Sequence, residues 1–397
     1  MRPEPDHARP SRRRGQGRRR RPHGPRDRGG DACRARACRA SRSRGPAVSA
    51  QVLQTTDLGR HAARWDALVT ASPLPSPFLR SWWLGSLDPK REPRFVLVLD
   101  GERLLGGLAL QCRRVLGVEV LTVLGGGRLC PDHLDLVADP AREDDVVAAL
   151  RSWFQGSARV LDLDGLREDA LALDAFEGAV VTTTDITRCE PLSSDPAEYH
   201  AARSTSFTRK GRKARRRLEC AGVEFRRTPP GEVESAFDAF EELHAVRDDR
   251  LPLLRHRDEI RRFVLAGVTA GEVRVHEAIR DDQRVAILIG FVTGDRWMTY
   301  QLARSLDHEM RDVGTVLRLS AVDDACLTGL TELDLLRGDE PYKRSFTTVS
   351  RRLLRVRAAH GLGGRALLTA ARCVEAARHS LGIVRQQWLA RTRRSRG

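Results

Sequence analysis

The 397-residue chain reads as an α/β (α+β) protein of two tandem units, each a mixed, mostly antiparallel sheet flanked by helices. Three observations lead there. A run of hairpin, third strand, helix and closing strand occurs over residues 95–165 and returns over 272–338, the signature of one unit used twice. The two copies end alike, Leu161-Asp162-Leu163-Asp164-Gly165 against Leu333-Asp334-Leu335-Leu336-Arg337-Gly338. Finally, 397 residues with 41% hydrophobic side chains suffice for two cores of ordinary size.

Taken in order, residues 1–48 are Arg, Pro, Gly, Ser and Ala with scarcely a large apolar side chain, so they cannot offset their ordering entropy. They read as a disordered Arg-rich tail, either a basic arm or the product of a misassigned start. From Gln51 the texture changes. His61–Val69 is spaced as a helix, and Phe78–Leu87 is an apolar segment holding Trp82 and Trp83. Phe95–Leu99 and Arg103–Cys112 flank Asp100-Gly101 as a hairpin. Val118–Leu124 and His133–Val137 read as further strands, Glu143–Phe154 as a helix and Arg159–Asp164 as the closing strand. In the second copy, Phe207–Leu218 is a basic helix that stops near Gly222, ahead of strand Val223–Arg226. Val233–Val246 is an amphipathic helix. The strands Glu272–Ile279, Arg284–Val292 and Trp297–Leu302 form a meander on Asp281-Asp282 and Gly294-Asp295 turns, and helix Gly314–Leu327 leads to the strand at Leu333. The domains expected are 51–190 and 191–360, followed by a basic amphipathic helix and tail over 361–397.

The net charge of +16 sits at the two ends. Residues 1–48 hold 16 Arg against four acidic residues, and 385–397 hold five Arg and no acid, so the body between them is nearly neutral. A high isoelectric point is therefore poor evidence for nucleic acid as the body's partner. The eight Cys contain no C-x-x-C pair and no zinc spacing, which reads as reduced thiols of a cytoplasmic protein without a metal. No apolar run is long enough to span a membrane. The helix near the C-terminus, with Leu367, Leu368, Val374, Leu381 and Trp388 among Arg side chains, suits either the body or a membrane surface.

The chemistry concentrates in Leu333–Lys343. A buried strand ends at Gly338 and is followed by Asp339, Glu340, Pro341, Tyr342 and Lys343, a loop stiffened by proline and rich in polar groups. Upstream, Arg311 stands three residues before Gly314 at a helix start, where free N–H groups and the helix dipole attract an anion.

Taken together these pieces resemble the GNAT acyltransferase superfamily. More closely, they are similar to the tandem-GNAT proteins of the CelD-like cellulose-biosynthesis group, relatives of the FemABX transferases. The residues that carry the resemblance are the basic helix Arg209–Leu218 with Gly222, Leu243-His244, Tyr300-Gln301, Gly314, and Asp334 through Lys343. Two positions depart from the family pattern. Val316 stands where Gly or Ala closes the pyrophosphate motif, and Arg344-Ser345-Phe346 stands where an Arg-Trp is usual. The resemblance implies acetyl-CoA or another acyl-CoA as co-substrate and a small-molecule or glycan acceptor with an amine or hydroxyl. Tyr300, Gln301 and Leu302 would pair with the pantetheine arm; Arg311, Val313, Gly314 and Thr315 would hold the pyrophosphate. Tyr342 would protonate the departing thiolate, a phenol with an ordinary pKa of about 10 being protonated at neutral pH. Asp339 or Glu340 would accept the acceptor's proton, oriented by Arg337 and Lys343, and His244 would be a base lining the cleft. Structural roles stand beside these: Arg337 with Asp339 as an ion pair, Tyr342 as a cap on the cleft, His244 as a core residue. Two other functions remain open, a FemABX-like aminoacyl-tRNA transferase and a non-enzymatic scaffold or nucleic-acid-binding protein resting on the basic ends.

Overall fold

The computed structural model describes residues 50–176 and 178–394, with side chains through 377. The reading of residues 1–48 lies outside the described residues. The strands are β1 (Gln51–Thr55), β2 (Pro93–Asp100), β3 (Arg103–Val115), β4 (Val118–Val123), β5 (Val137–Ala138), β6 (Arg159–Arg167), β7 (Val180–Pro191), β8 (Glu224–Arg227), β9 (Val273–Arg280), β10 (Gln283–Thr293), β11 (Arg296–Arg304), β12 (Glu332–Arg337) and β13 (Val349–His360). The longer helices are α1 (Ala62–Thr70), α2 (Glu143–Gln155), α3 (Thr205–Cys220), α4 (Val233–Ala245), α5 (Arg257–Thr269), α6 (Val313–Leu327) and α7 (Gly361–Arg394).

The thirteen strands of the described residues join one sheet in the order β1-β2-β3-β4-β6-β13-β7-β12-β11-β10-β9-β8, with β5 attached to β3. The two copies are visible in the pairing. Each has an antiparallel hairpin (β2–β3, β9–β10), a third antiparallel strand (β4, β11) and, after a helix (α2, α6), a closing strand parallel to the third (β6, β12). The parallel pairing is unavoidable, because a helical crossover returns the chain in the direction of the strand it left. Both parallel pairs are short. β4 meets β6 only over Glu119–Thr122, and β11 meets β12 only over Arg296–Met298, so each pair then splays.

Helices cover both faces of the second copy. Phe237, Phe240, Ile260 and Phe263 of α4 and α5 pack with Ile287, Ile289, Phe291 and Met298 on one face. Val316, Leu317 and Leu319 of α6 pack with Leu218 of α3, Leu288 and Trp297 on the other. α7 seats Leu367 and Leu368 on Val118, Val120 and Val160, while Leu362 and Val374 stay exposed.

The expected strand at His133–Val137 is not there: Leu134 makes one bridge to Leu166, and only Val137–Ala138 is a strand. The reason lies in Asp132 and His133. Their side chains are drawn into buried pairs with β12, and His133 takes a left-handed backbone (φ 55°) that no regular strand permits. No helix among the described residues is long and apolar enough to cross a membrane.

Candidate active site at the β11–β12 splay

Beyond Met298 and Asp334 the two parallel strands part, which leaves one backbone edge of β11 unpaired on its β12 side. Two irregularities shape the opening. On β11, Thr299 faces Gly290 and Gln301 faces Ile289, so one residue, Tyr300, is extra: a β-bulge. Met298 and Tyr300 therefore point to the α4 face, while Leu302, which strict alternation would also place there, turns to the α6 face. On β12 the register against β7 slips between Asp334 and Arg337, and Leu336 is left-handed at φ 55°.

Leu302 meets the start of α6. A Cβ on Gly314 would lie 2.6 Å from Leu302 Cδ2 and 3.2 Å from Arg304 Cδ, so glycine is what lets helix and strand approach this closely. The first intrahelical bonds are donated by Thr315 and Val316 to Asp312 O at 2.9 and 3.0 Å, which places the N–H groups of Val313 and Gly314 ahead of the hydrogen-bonded ladder. The preceding loop is pinned from α3, where the Arg217 guanidinium donates to the carbonyls of Glu309 (3.0 Å) and Arg311. Arg311 keeps an exposed side chain, 3.6 Å from Asp312.

Tyr342 comes to the same place. Its ring lies over the Arg318 guanidinium at 4.5 Å, and Arg318 sits one helical turn after Gly314. Arg318 Nη2 approaches the phenol oxygen at 3.5 Å. The phenol is 39% exposed. Lys343 holds the loop in shape from beneath: its buried Nζ donates to Leu336 O (3.3 Å) and Arg337 O and pairs with Glu340 Oε2 at 3.0 Å.

The other sequence candidates lie elsewhere. Arg337 turns toward the first unit, where its Nε reaches Asp132 Oδ1 at 2.6 Å and its Nη1 reaches Asp164 Oδ2 at 2.8 Å. Burial alone would lower this guanidinium, but Asp132 and Asp164 hold it well above its ordinary value. Its partner is thus not Asp339. That carboxylate accepts from Arg344 and from Arg188 (2.6 Å), and those bonds hold it at about 2, where it is a weak base. His244 is enclosed on α4 against Phe240 at 4.5 Å, with neither ring nitrogen bonded. Burial first, then Arg250 and Arg247, pushes it down to about 4, so the ring is neutral at pH 7. Tyr300 contributes backbone rather than phenol: its ring packs among Phe78, Trp83, Phe263 and Phe291, and its hydroxyl donates to Leu129 O at 3.0 Å. Gln301 and Leu302 are half-buried beside it. Among the described residues no His, Cys, Asp or Glu group has the geometry of a metal site.

Sequence reasoning missed Arg318 and Arg304. Arg318 lies mid-helix among apolar residues, and only the i, i+4 spacing from Gly314 hinted at it. A second missed pair joins the units: His133 Nε2 and Asp334 Oδ2 are 2.7 Å apart and fully enclosed. Burial pushes Asp334 up, but His133, Arg296 and the Leu336 N–H outweigh it and leave the carboxyl at about 2.

Residues 205–344 match the model of the acetyltransferase (GNAT) domain family. No curated protein matches the chain by sequence. Among solved structures the chain is similar to FemX at 12% identity, with a TM-score of 0.56 and coverage of 77% of this chain and 96% of FemX. A conserved protein of unknown function from Bacteroides thetaiotaomicron matches at 10% identity and TM-score 0.54, covering 78% and 100%. The C-terminal domain of a putative lysylphosphatidylglycerol synthetase from Agrobacterium fabrum matches at 12% identity and TM-score 0.51, covering 78% and 95%. At these identities the likeness is one of fold.

Proposed function

We propose that the chain, whose residues 205–344 match the acetyltransferase (GNAT) domain model and whose fold is like that of FemX, is an acyl-CoA-dependent N- or O-acyltransferase. The observation that carries the reading is the meeting of three parts at one opening. These are an unpaired strand edge (Thr299–Ala303), a glycine-started helix (Val313–Thr315) and a phenol one turn further on (Tyr342). Each part answers a need of thioester transfer. The edge offers backbone groups to the amides of a pantetheine arm, and the helix start with Arg311 offers N–H groups and charge to a pyrophosphate. Tyr342 supplies a proton to the leaving thiolate, and holding donor and acceptor together does the rest. Glu340, exposed and paired only with Lys343 among the described residues, takes the acceptor's proton in preference to Asp339. The acceptor is an amine or hydroxyl of a small molecule or glycan, in polysaccharide or cell-envelope metabolism as the resemblance to the CelD-like group implies. Six cysteines without disulfide partners among the described residues support a cytoplasmic setting. The catalytic unit is 191–360, and 51–190 is its N-terminal counterpart.

Thermal-shift and calorimetric titration with acetyl-CoA and longer acyl-CoA thioesters test this directly. Binding of at least one thioester is expected; if none binds, the reading falls. A second reading, transfer from an aminoacyl-tRNA, is favoured by α3, whose outward face carries Arg209, Lys210, Arg212, Lys213 and Arg216, all exposed and without an acidic partner among the described residues. Tight tRNA binding lost on neutralising three of these side chains, with no thioester binding, would put it first.

A further inference from the structure

Beside Tyr342 the charges do not balance. Arg318 stacks on the phenol at 4.5 Å, yet no carboxylate among the described residues pairs with it, and its Nε is enclosed without a hydrogen-bond partner. Arg304 comes in from the end of β11, its Cδ 3.2 Å from the place a Gly314 Cβ would occupy, and among the described residues its guanidinium bonds only Ser305 O, at 3.2 Å. Arg250, in the turn after α4, adds positive charge nearby, with its Nε paired to Asp249 at 3.4 Å, a carboxylate shared with Arg247. Glu340, the acid nearest the phenol in sequence, pairs with Lys343 and not with Arg318. Burial lowers the Arg318 guanidinium, and Arg250 and Arg304 lower it further, whereas Tyr342 and Glu340 act the other way. Several inward-turned guanidiniums on this body are met by carboxylates, as at Arg337–Asp132, Arg351–Glu332 and Arg355–Asp162. Two guanidiniums from two elements flank the helix start and the phenol, and the enclosed Arg318 Nε left unbonded marks an arrangement whose missing partner is an anion.

The geometry points to a carboxylate-binding subsite formed by Arg318 and Arg304 against Tyr342, so that one of the two substrates carries a carboxylate next to the group transferred. A guanidinium offers a planar fork that matches a carboxylate through two parallel bonds, and stacking on the phenol fixes the plane of that fork. The position argues for the reacting end of the substrates, because Arg318 touches the phenol assigned to the leaving thiolate, while Arg311 and the Val313–Thr315 backbone are left for the pyrophosphate. This inference rests on the acyltransferase reading and narrows its substrates. The carboxylate belongs either to the acyl chain, as in a dicarboxylic half-thioester, or to the acceptor, as in an α-amino acid.

The full chain is titrated with succinyl-CoA against acetyl-CoA. Separately, thiol release from acetyl-CoA is followed with α-amino acids against their amides. One pair should favour the carboxylate form by about ten- to a hundredfold, the worth of a charge-assisted bidentate contact. Arg318→Gln should erase that preference and Arg318→Lys retain part of it. Near-equal treatment of both pairs overturns the subsite, and so does an Arg318→Gln chain that weakens unacylated coenzyme A as much as the acylated forms, since the cluster would then serve the phosphates. Free succinate separates the two ideas. If it raises the melting temperature of the wild type but not of Arg318→Gln, while no CoA species binds, the subsite stands and the acyl-CoA reading fails.

Discussion

Replacing Arg337 by Leu separates a structural from a chemical role for this residue. Asp132 is fully enclosed, and Arg337 supplies its Nε contact (2.6 Å) as well as a backbone N–H (2.7 Å). The substitution leaves the N–H and removes the charge. A buried charge stripped of its partner costs about 3–5 kcal/mol. Asp164, 41% exposed, turns to water and adds little. For a body of this size the loss corresponds to a fall of roughly 6–10 °C in melting temperature. A pH signature accompanies it. Burial pushes the Asp132 carboxyl above its usual range even now, with Arg337 the largest opposing influence. Without Arg337 its folded pKa rises further above the unfolded value, so the deficit should be smallest near pH 4 and grow as pH rises. Adding Asp132→Leu should recover all but about 1–2 kcal/mol, since an apolar pair can replace a buried ion pair. Urea unfolding of the three variants at pH 5 and pH 8 reads all of this. A single variant within about 1 kcal/mol of wild type at pH 8, or one that loses acyl transfer with stability intact, refutes the reasoning and returns Arg337 to the catalytic list.

Tyr342→Phe should leave unfolding unchanged, because the ring is partly exposed and its hydroxyl makes one long contact, while turnover of the acyl-CoA substrate falls about a hundredfold or more; equal turnover removes Tyr342 from the mechanism. Gly314→Ala should weaken acyl-CoA binding measured by calorimetry, and Leu302→Ala in the same chain should restore part of it by clearing the 2.6 Å contact. His244, held at about 4 against an ordinary 6.5, makes stability fall as pH drops from 6.5 toward 4, because the unfolded chain takes the proton first. His244→Phe should flatten that limb in a pH series of denaturation midpoints, and loss of transfer activity with it would revive the base reading. Asp334, held at about 2 against 3.8, contributes about 2 kcal/mol that is present above pH 3.8 and lost as pH falls toward 2. Asp334→Asn should abolish that acid-limb dependence.

What the sequence disclosed was local. The hairpin on Asp100-Gly101, the meander on Asp281-Asp282 and Gly294-Asp295, and the helix opening at Gly314 each rest on turn chemistry or period within a few residues, and each stands in the structure. β7 and β13 escaped notice. Val180–Pro191 carries four threonines and Val349–His360 four arginines, so neither has the apolar density of a central strand, yet they lie side by side in the middle of the sheet. Their arginines are neutralised by acids distant in sequence, Arg351 by Glu332 and Arg355 by Asp162, which no window along the chain can reveal. The site shows the same division. Gly314 and Tyr342 announce themselves by motif, whereas the partners of Arg337 lie 173 and 205 residues away.

The placement of β13 also explains why so many charges are buried at the junction of the units. The last strand of the second unit runs between β6 and β7, so the two sheets are one ladder rather than two modules in contact. β7 completes the far edge of β12, and β12 forms one wall of the proposed cleft. A rigid wall needs more than backbone bonds here, because β12 is bulged at the very residues that open the splay. Asp334 tied to His133 below the bulge and Arg337 tied to Asp132 beyond it fasten both ends of the irregular stretch to the first unit. Apolar residues would bury as much surface but tolerate sliding, whereas these directional polar pairs favour one register. The first unit, on this argument, serves the cleft by fixing the angle at which β12 leaves β11.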